Sequence, residues 1–306
     1  MLSSAETEPI RDRLAALSLP ELKQRAAAAE AELLNLGITF TVYSEPSAEA
    51  IDRILPFDVI PRVLSASDWR QIESGVEQRV TAINLLLQDV YHGQKILKDG
   101  VLPADLVLGN TNYRPIMQGL DLPHGTYVHV SGTDIIRDDQ GTFQVLEDNV
   151  RTPSGVSYVV ENRHMMLRAF PDLLHDIALR SIDNYGMHLL DAMREIAPRG
   201  VADPRVVLLS PGIYNSAFFE HVFLAREMGA QLVEGRDLTV ENDRVYMRTT
   251  SGLSPVHVIY RRIDDDALDP EVFRSDSMLG VPGLMRAYRA GNVALANAVG
   301  TGIADD

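Results

Sequence analysis

The sequence predicts a mixed α/β protein, and three observations carry that expectation. Apolar residues recur at helical spacing, as in the stripe Trp69, Ile72, Val76, Val80, Ile83, Leu87 and Val90. Between residues 127 and 149 the period falls to two, as in strands that bury one face. From Arg205 onward, short apolar runs alternate with helical patterns, as in a three-layer unit around a buried sheet.

Taken in order, residues 20–37 are rich in Ala, Leu, Glu, Lys and Gln and predict a helix, with Gly37 as its C-cap. Residues 38–43 alternate apolar residues with threonine and predict a strand. A loop with Pro56 and Pro61 follows, and Ser67 opens the helix that bears the apolar stripe. A strand over 127–137, a turn over 138–141 and a strand over 142–149 predict a hairpin. Its expected register sets Arg137 opposite Thr142 and Asp134 opposite Val145. Helices are expected from Glu161 to about Ala197. In the second half, 206–209, 231–233, 238–240, 245–248 and 256–260 read as strands. Asn215 or Ser216 caps a helix that ends at Gly229. Residues 291–306 read as a strand leading into a glycine-bearing loop.

Composition excludes several function classes. Among 306 residues, 43 are acidic and 28 basic, a formal charge of −15. A surface this negative repels nucleic acid and anionic lipid, so neither is an expected partner. The absence of cysteine rules out disulfides, thiolate zinc sites, iron–sulfur clusters and a cysteine nucleophile. No stretch approaches the ~20 apolar residues of a membrane span. The first nine residues show neither a basic region nor an apolar run, so the expected location is the cytoplasm. P-loop, GxGxxG, GxSxG and HExxH motifs are missing, and the histidines are scattered.

The hairpin carries the strongest chemistry. Residues two apart on a strand share a face, so Glu147 and Asn149 project together and Asp148 opposes them. The expected register adds Asp134 to the Glu147 face. Two carboxylates about 5 Å apart repel by about 3 kcal/mol at an effective dielectric near 20. A cation must answer that charge: Mg²⁺ on hard oxygen ligands beside a nucleotide phosphate, or Arg137 or Arg151 on a solvated hairpin. Three further features are each open to two readings. The Pro153-Ser154-Gly155 turn is an anion nest or an ordinary turn. The segment from Ser210 to Glu220 is an anion-favouring helix entry or a plain cap. Arg261 and Arg262 grip a carboxylate or phosphate at a strand end, with at least one facing a cleft, or pair with Asp264, Asp265 and Asp266.

The motifs FDVIPR (57–62), GTDIIRD (132–138), VLEDN (145–149), RTPSGVSY (151–158), YNSAFFEH (214–221), LVEGRDL (232–238), YRRIDDD (260–266) and GNVALANA (291–298) resemble the circularly permuted ATP-grasp proteins of type 2. That family is related to glutathionylspermidine synthase. The resemblance implies a glutathione-synthetase-like ATP-grasp fold. It also implies a ligase that uses ATP and Mg²⁺ to join a small peptide-like or amino-acid carboxylate to an amine acceptor through an acyl phosphate. Asp134, Glu147 and Asn149 fall on the family's metal pattern. Gly132 stands where relatives carry an arginine near the transferred phosphate, so Arg137 or Arg151 would supply that charge. Ser154, Gly155, Asn215, Ser216, Glu220, Arg261 and Arg262 are expected on the substrate, and Asn297 on ATP.

On this reading residues 1–37 form a helical segment, 38–199 the metal-bearing core portion, 200–263 the substrate-side α/β domain, and 264–306 the start of the nucleotide lobe. The family pattern continues past the final Asp-Asp with a lysine and a further long segment. The expectation is therefore a C-terminally truncated member that cannot turn over ATP alone and exposes residues 293–298 as an apolar edge. The alternative from another class is an inactive remnant that binds a peptide-like ligand or a partner protein.

Overall fold

The computed structural model describes residues 8–42, 51–54 and 58–305. The chain forms two compact units, each drawn from non-consecutive stretches. The first takes residues 1–74, 154–184 and 213–223; the second takes 75–153, 185–212 and 224–306. No helix among the described residues is long and apolar enough to cross a membrane.

In the first unit the helix Leu19–Asn35 starts at a capping box. Ser18 Oγ accepts from the Glu21 amide at 3.4 Å, and the Glu21 carboxylate accepts from the Ser18 amide at 2.9 Å. One face of this helix, through Ala29 and Leu33, joins Ile38, Tyr158 and Met165 in a small core. The strands β1 (Thr39–Val42) and β2 (Ile51–Ile54) pair antiparallel. Tyr43 and Phe57, assigned to the strand and the first motif, lie outside the described residues. The helix expected from Glu161 begins earlier, as Val156–Ala169, because a buried carboxylate caps it.

The second unit holds the main core and three sheets. Strands β3 (Gly132–Arg137) and β4 (Phe143–Asn149) form the antiparallel hairpin. Strand β5 (Val206–Leu209) is followed by β6 (Gln231–Val233). Next come β7 (Leu238–Glu241), β8 (Arg244–Thr249) and β9 (Gly252–Val256), a three-stranded antiparallel meander. β10 (Val258–Arg261) and β11 (Ala294–Ala296) complete a parallel four-stranded sheet of order β11-β10-β5-β6. Every residue of β5, β10 and β11 is buried, which is why these strands read as continuous apolar runs. The second half of the apolar stripe, Val80, Ile83, Leu87 and Val90 on the helix Ala66–Val90, packs into the same core as Ile259, Leu295 and Tyr127 or is buried beside it.

Two expectations about this unit are corrected. Residues 127–131 are not a strand. The amides of Tyr127 and Val128 donate to Asn84 Oδ1 at 2.8 and 3.0 Å, and those of His129 and Val130 to Asn297 Oδ1 at 2.6 and 2.8 Å. Two asparagine side chains thus take the donors that a ladder would need. Residues 293–298 do not form an exposed apolar edge either, since all six are buried. The Ala298 amide donates to Tyr127 O at 2.9 Å, so the loop before the hairpin lies along the end of β11.

The imidazole Nδ1 of His129 is buried without a hydrogen bond among the described residues, and burial pushes its pKa down to about 4. In an unfolded chain the group titrates near 6.5. Between these values the unfolded state binds more protons, so stability is full above pH 6.5 and falls as pH drops toward 4. Replacing His129 with Phe should flatten this acid limb in urea titrations run across that range. An unchanged slope would show that His129 does not cause it.

Candidate functional site

The hairpin brings the three expected metal ligands onto one face by a route the sequence did not reveal. Arg137 pairs with Phe143, not Thr142, a one-residue slip that alone would turn Asp134 away from Glu147. A bulge then restores the parity. Ile135 pairs with Val145 and Asp134 with Glu147, leaving Leu146 as the extra residue. Asp134 is therefore opposite Glu147, not Val145, and Gly132 is opposite Asn149. Asn149 Nδ2 donates to Glu147 Oε1 at 3.1 Å. Asp134 is exposed and makes no hydrogen bond or ion pair among the described residues.

The other face of the hairpin is where the charge is neutralised. Asp148 is 1% exposed and accepts from Thr133 Oγ1 at 2.8 Å and from Arg79 Nε on the helix Ala66–Val90. Sequence reasoning missed Arg79 and Thr133. Their signal is the alternation itself, because Thr133 and Asp148 share the face that Asp134 and Glu147 leave. A Cβ at Gly132 would lie 3.0 Å from Pro153 Cβ, so this position has little room for an arginine.

The two arginines proposed for the phosphate are held locally. Arg137 Nε donates to Gly141 O at 3.0 Å, and its guanidinium lies 4.9 Å from the Phe143 ring centroid. Arg151 Nε donates to the Asp305 carboxylate. Asp305 also accepts from the amides of Val150 at 2.6 Å and Arg151 at 3.3 Å. Neither arginine is ion-paired with Asp134 or Glu147 among the described residues.

Arg261 is fully buried rather than turned to a cleft. It donates to Asn297 O, Ile263 O and Ala298 O at 2.8–2.9 Å and lies 2.8 Å from Asp265 Oδ1. These partners lie within the fold, so Arg261 braces the ends of β10 and β11. Arg262 is also buried; it donates to Tyr260 Oη at 3.1 Å and lies over that ring. Asn297, expected on ATP, is 1% exposed. Besides its two accepted bonds, its Nδ2 donates to Val130 O at 2.6 Å, Val150 O at 2.8 Å and Arg151 O at 3.3 Å.

In the first unit the expected anion nest is already filled. Glu220 is fully buried, and its Oε2 accepts from the Gly155 amide at 2.7 Å, the Ser157 amide at 3.1 Å and Ser157 Oγ at 2.9 Å. Gly155 has φ +121°, a conformation that glycine adopts without a Cβ penalty, and this turns its amide into the cap. Glu220 thus serves as an internal anion at a helix start. Asn215 Oδ1 accepts from the Ala217 amide at 2.9 Å ahead of the helix Phe218–Met228, with Ser216 between them. Ser154 precedes the filled nest.

Residues 61–306 match a family described as a circularly permuted ATP-grasp. The chain belongs to that family. Its relatives include an uncharacterized protein of Synechocystis sp., 49% identical over 301 residues that cover 98% of this ATP-grasp chain and 62% of the relative. An uncharacterized protein of Mycobacterium tuberculosis is 50% identical over 293 residues, 96% of this chain and 52% of its own length. A Frankia casuarinae protein named "Putative glutamate--cysteine ligase 2-2" is 37% identical over 287 residues, 93% of this chain and 33% of its own length. The chain thus spans between half and two thirds of the first two of these curated relatives. A solved structure, a glutathione synthetase-like effector from Globodera pallida, aligns with TM-score 0.55 at 13% identity, over 89% of this chain and 64% of that one. At that identity the likeness concerns the fold, which is glutathione-synthetase-like.

Within this ATP-grasp chain Asp148 should be worth more to stability than its neighbours on β4. Asp148→Asn leaves Arg79 without its anion and should lower stability by on the order of 1–3 kcal/mol, read from the urea midpoint. A midpoint equal to that of the parent would show that the Arg79 pair does not hold the hairpin.

Proposed function

We propose that the chain forms the metal-bearing and substrate-side part of an ATP- and Mg²⁺-dependent ligase that joins a carboxylate to an amine. The observation that carries this reading is the contrast between the two faces of the hairpin. Asp148 is neutralised by Arg79, whereas Asp134 and Glu147 face each other across the ladder with no cation among the described residues paired to either. Direct cross-strand partners lie about 4.5–5.5 Å apart, close enough for both carboxylates to reach one ion. Among the described residues no three His, Cys, Asp or Glu side chains cluster to hold a metal. The donor set is therefore two carboxylates and the Asn149 amide oxygen, with the rest from water and phosphate. That incomplete, all-oxygen set suits Mg²⁺, which retains waters and takes substrate phosphates.

The ion would screen the γ-phosphate and the developing acyl phosphate. The chain's own residues do the positioning. Asp134, Glu147 and Asn149 would hold the ion at the base of a hairpin whose opposite face is fixed to a helix by the Arg79–Asp148 pair. Arg151, one residue beyond Val150, brings positive charge beside Asn149. Membership in the ATP-grasp family and the ligase name of the Frankia relatives support C–N bond formation with a small peptide-like or amino-acid substrate.

Replacing Glu147 with Gln keeps the shape of the side chain and removes its charge. In the full chain Mg²⁺ binding by calorimetry should weaken by at least about tenfold, roughly 1.4 kcal/mol, with the melting temperature unchanged. If ADP release is measurable with Mg²⁺ and candidate amines, it should be abolished by the same change. Mg²⁺ affinity that does not respond to E147Q would overturn the metal assignment and favour the binding-module alternative.

A further inference from the structure

Three donors converge on one carboxylate immediately beyond the metal-bearing strand. The Val150 and Arg151 amides point to Asp305 Oδ1, and the Arg151 guanidinium to Asp305 Oδ2. Two successive amides with a guanidinium beside them are the donor arrangement that holds phosphoryl and carboxylate oxygens. The first of these donors follows Asn149 directly.

The cradle does not depend on Asp305 for its shape. Asn297 Nδ2 holds the carbonyls of Val150 and Arg151 from the other side. Gly302 packs so closely that a Cβ there would lie 2.6 Å from Arg151 Cδ, which fixes the stem of that side chain. Asp305, by contrast, caps a short 3₁₀ turn, Thr301–Ala304, through a long 3.4 Å amide bond to Gly302 O. The Arg151 side chain is 40% exposed, so the cradle opens to solvent on one side. A rigid donor set holding a weakly anchored internal anion is a site with an exchangeable occupant.

We infer that the cradle of Val150 N, Arg151 N and the Arg151 guanidinium is an anion-binding site, with Asp305 as an internal placeholder that a ligand's phosphoryl or carboxylate group displaces. This inference rests on the reading of the neighbouring hairpin as a metal site, and it adds a control: the anion site fills only when Asp305 leaves. Its ligand is an oxyanion that would lie next to the ion held by Asn149.

The test uses the full chain without metal, so that it fails independently of the Mg²⁺ assignment. Inorganic phosphate and acetate are titrated into the parent, Asp305→Ala, Asp305→Asn and the double variant D305A/R151M, followed by calorimetry and by thermal melting. Removing the placeholder should tighten phosphate or acetate binding about tenfold or more, and the double variant should lose the gain. A gain with phosphate assigns a phosphoryl ligand; a gain with acetate alone assigns a carboxylate. E147Q should leave this anion binding intact even where it abolishes binding of Mg²⁺. No gain in D305A or D305N, or loss of cooperative unfolding in both, would show that Asp305 is a structural clamp and would overturn the proposal.

Discussion

Asn297 uses both ends of its carboxamide on backbone groups that flank the hairpin. Its oxygen takes the amides of His129 and Val130, and its nitrogen gives to the carbonyls of Val130, Val150 and Arg151. Leaving even one of these buried groups unpaired costs about 1–3 kcal/mol, so the two loops cannot separate without losing several bonds together. The loop before the candidate metal ligands and the turn after them are thereby tied to the end of β11. Arg261 closes the same knot from below, donating to Asn297 O and Ala298 O. The hairpin's chemistry therefore stands on a base whose geometry is fixed by a single amide side chain.

A second pattern runs through this acidic chain. Its buried carboxylates act as internal anions for backbone amides and guanidinium groups. Glu220 caps a helix, and Asp265 accepts from the Gly300 amide at 2.9 Å and from Arg114 Nε at 3.3 Å. Asp269 accepts from the amides of Glu271, Gly283 and Met285. Each is a carboxylate whose desolvation is offset by charge-assisted bonds. Asp134 and Glu147 differ because among the described residues they meet no donor beyond the Asn149 amide. This contrast separates carboxylates that complete the structure from the two proposed to hold an ion.

The shared face of Glu147 and Asn149 is legible because strand parity is local. The place of Asp134 beside them is not, because a turn one residue longer than expected and a bulge at Leu146 compensate each other. The loop over 127–131 was misread as a strand for a similar reason. Its pattern alternates, but the side chains that capture its amides lie 43 and 168 residues away in sequence. Arg261 and Asn297 have the residue types of ligand-binding groups. Only their three-dimensional neighbours show that buried carbonyls and amides already claim them. Glu220 is the same case: an acid near a helix start reads as a binding group until the amides of Gly155 and Ser157 are seen to occupy it.

The bulge at Leu146 gives the hairpin a place where its length can change without disturbing the shared face. Removing that one residue would leave a regular ladder in which Asp134 still pairs with Glu147 and Gly132 with Asn149. Removing Asp148 instead would make Glu147 and Asn149 neighbours on the strand and turn them to opposite faces. Length variation among natural or designed versions of this hairpin should therefore gather at the bulge, and a lone deletion between Glu147 and Asn149 would break up the candidate site while leaving its sequence almost intact.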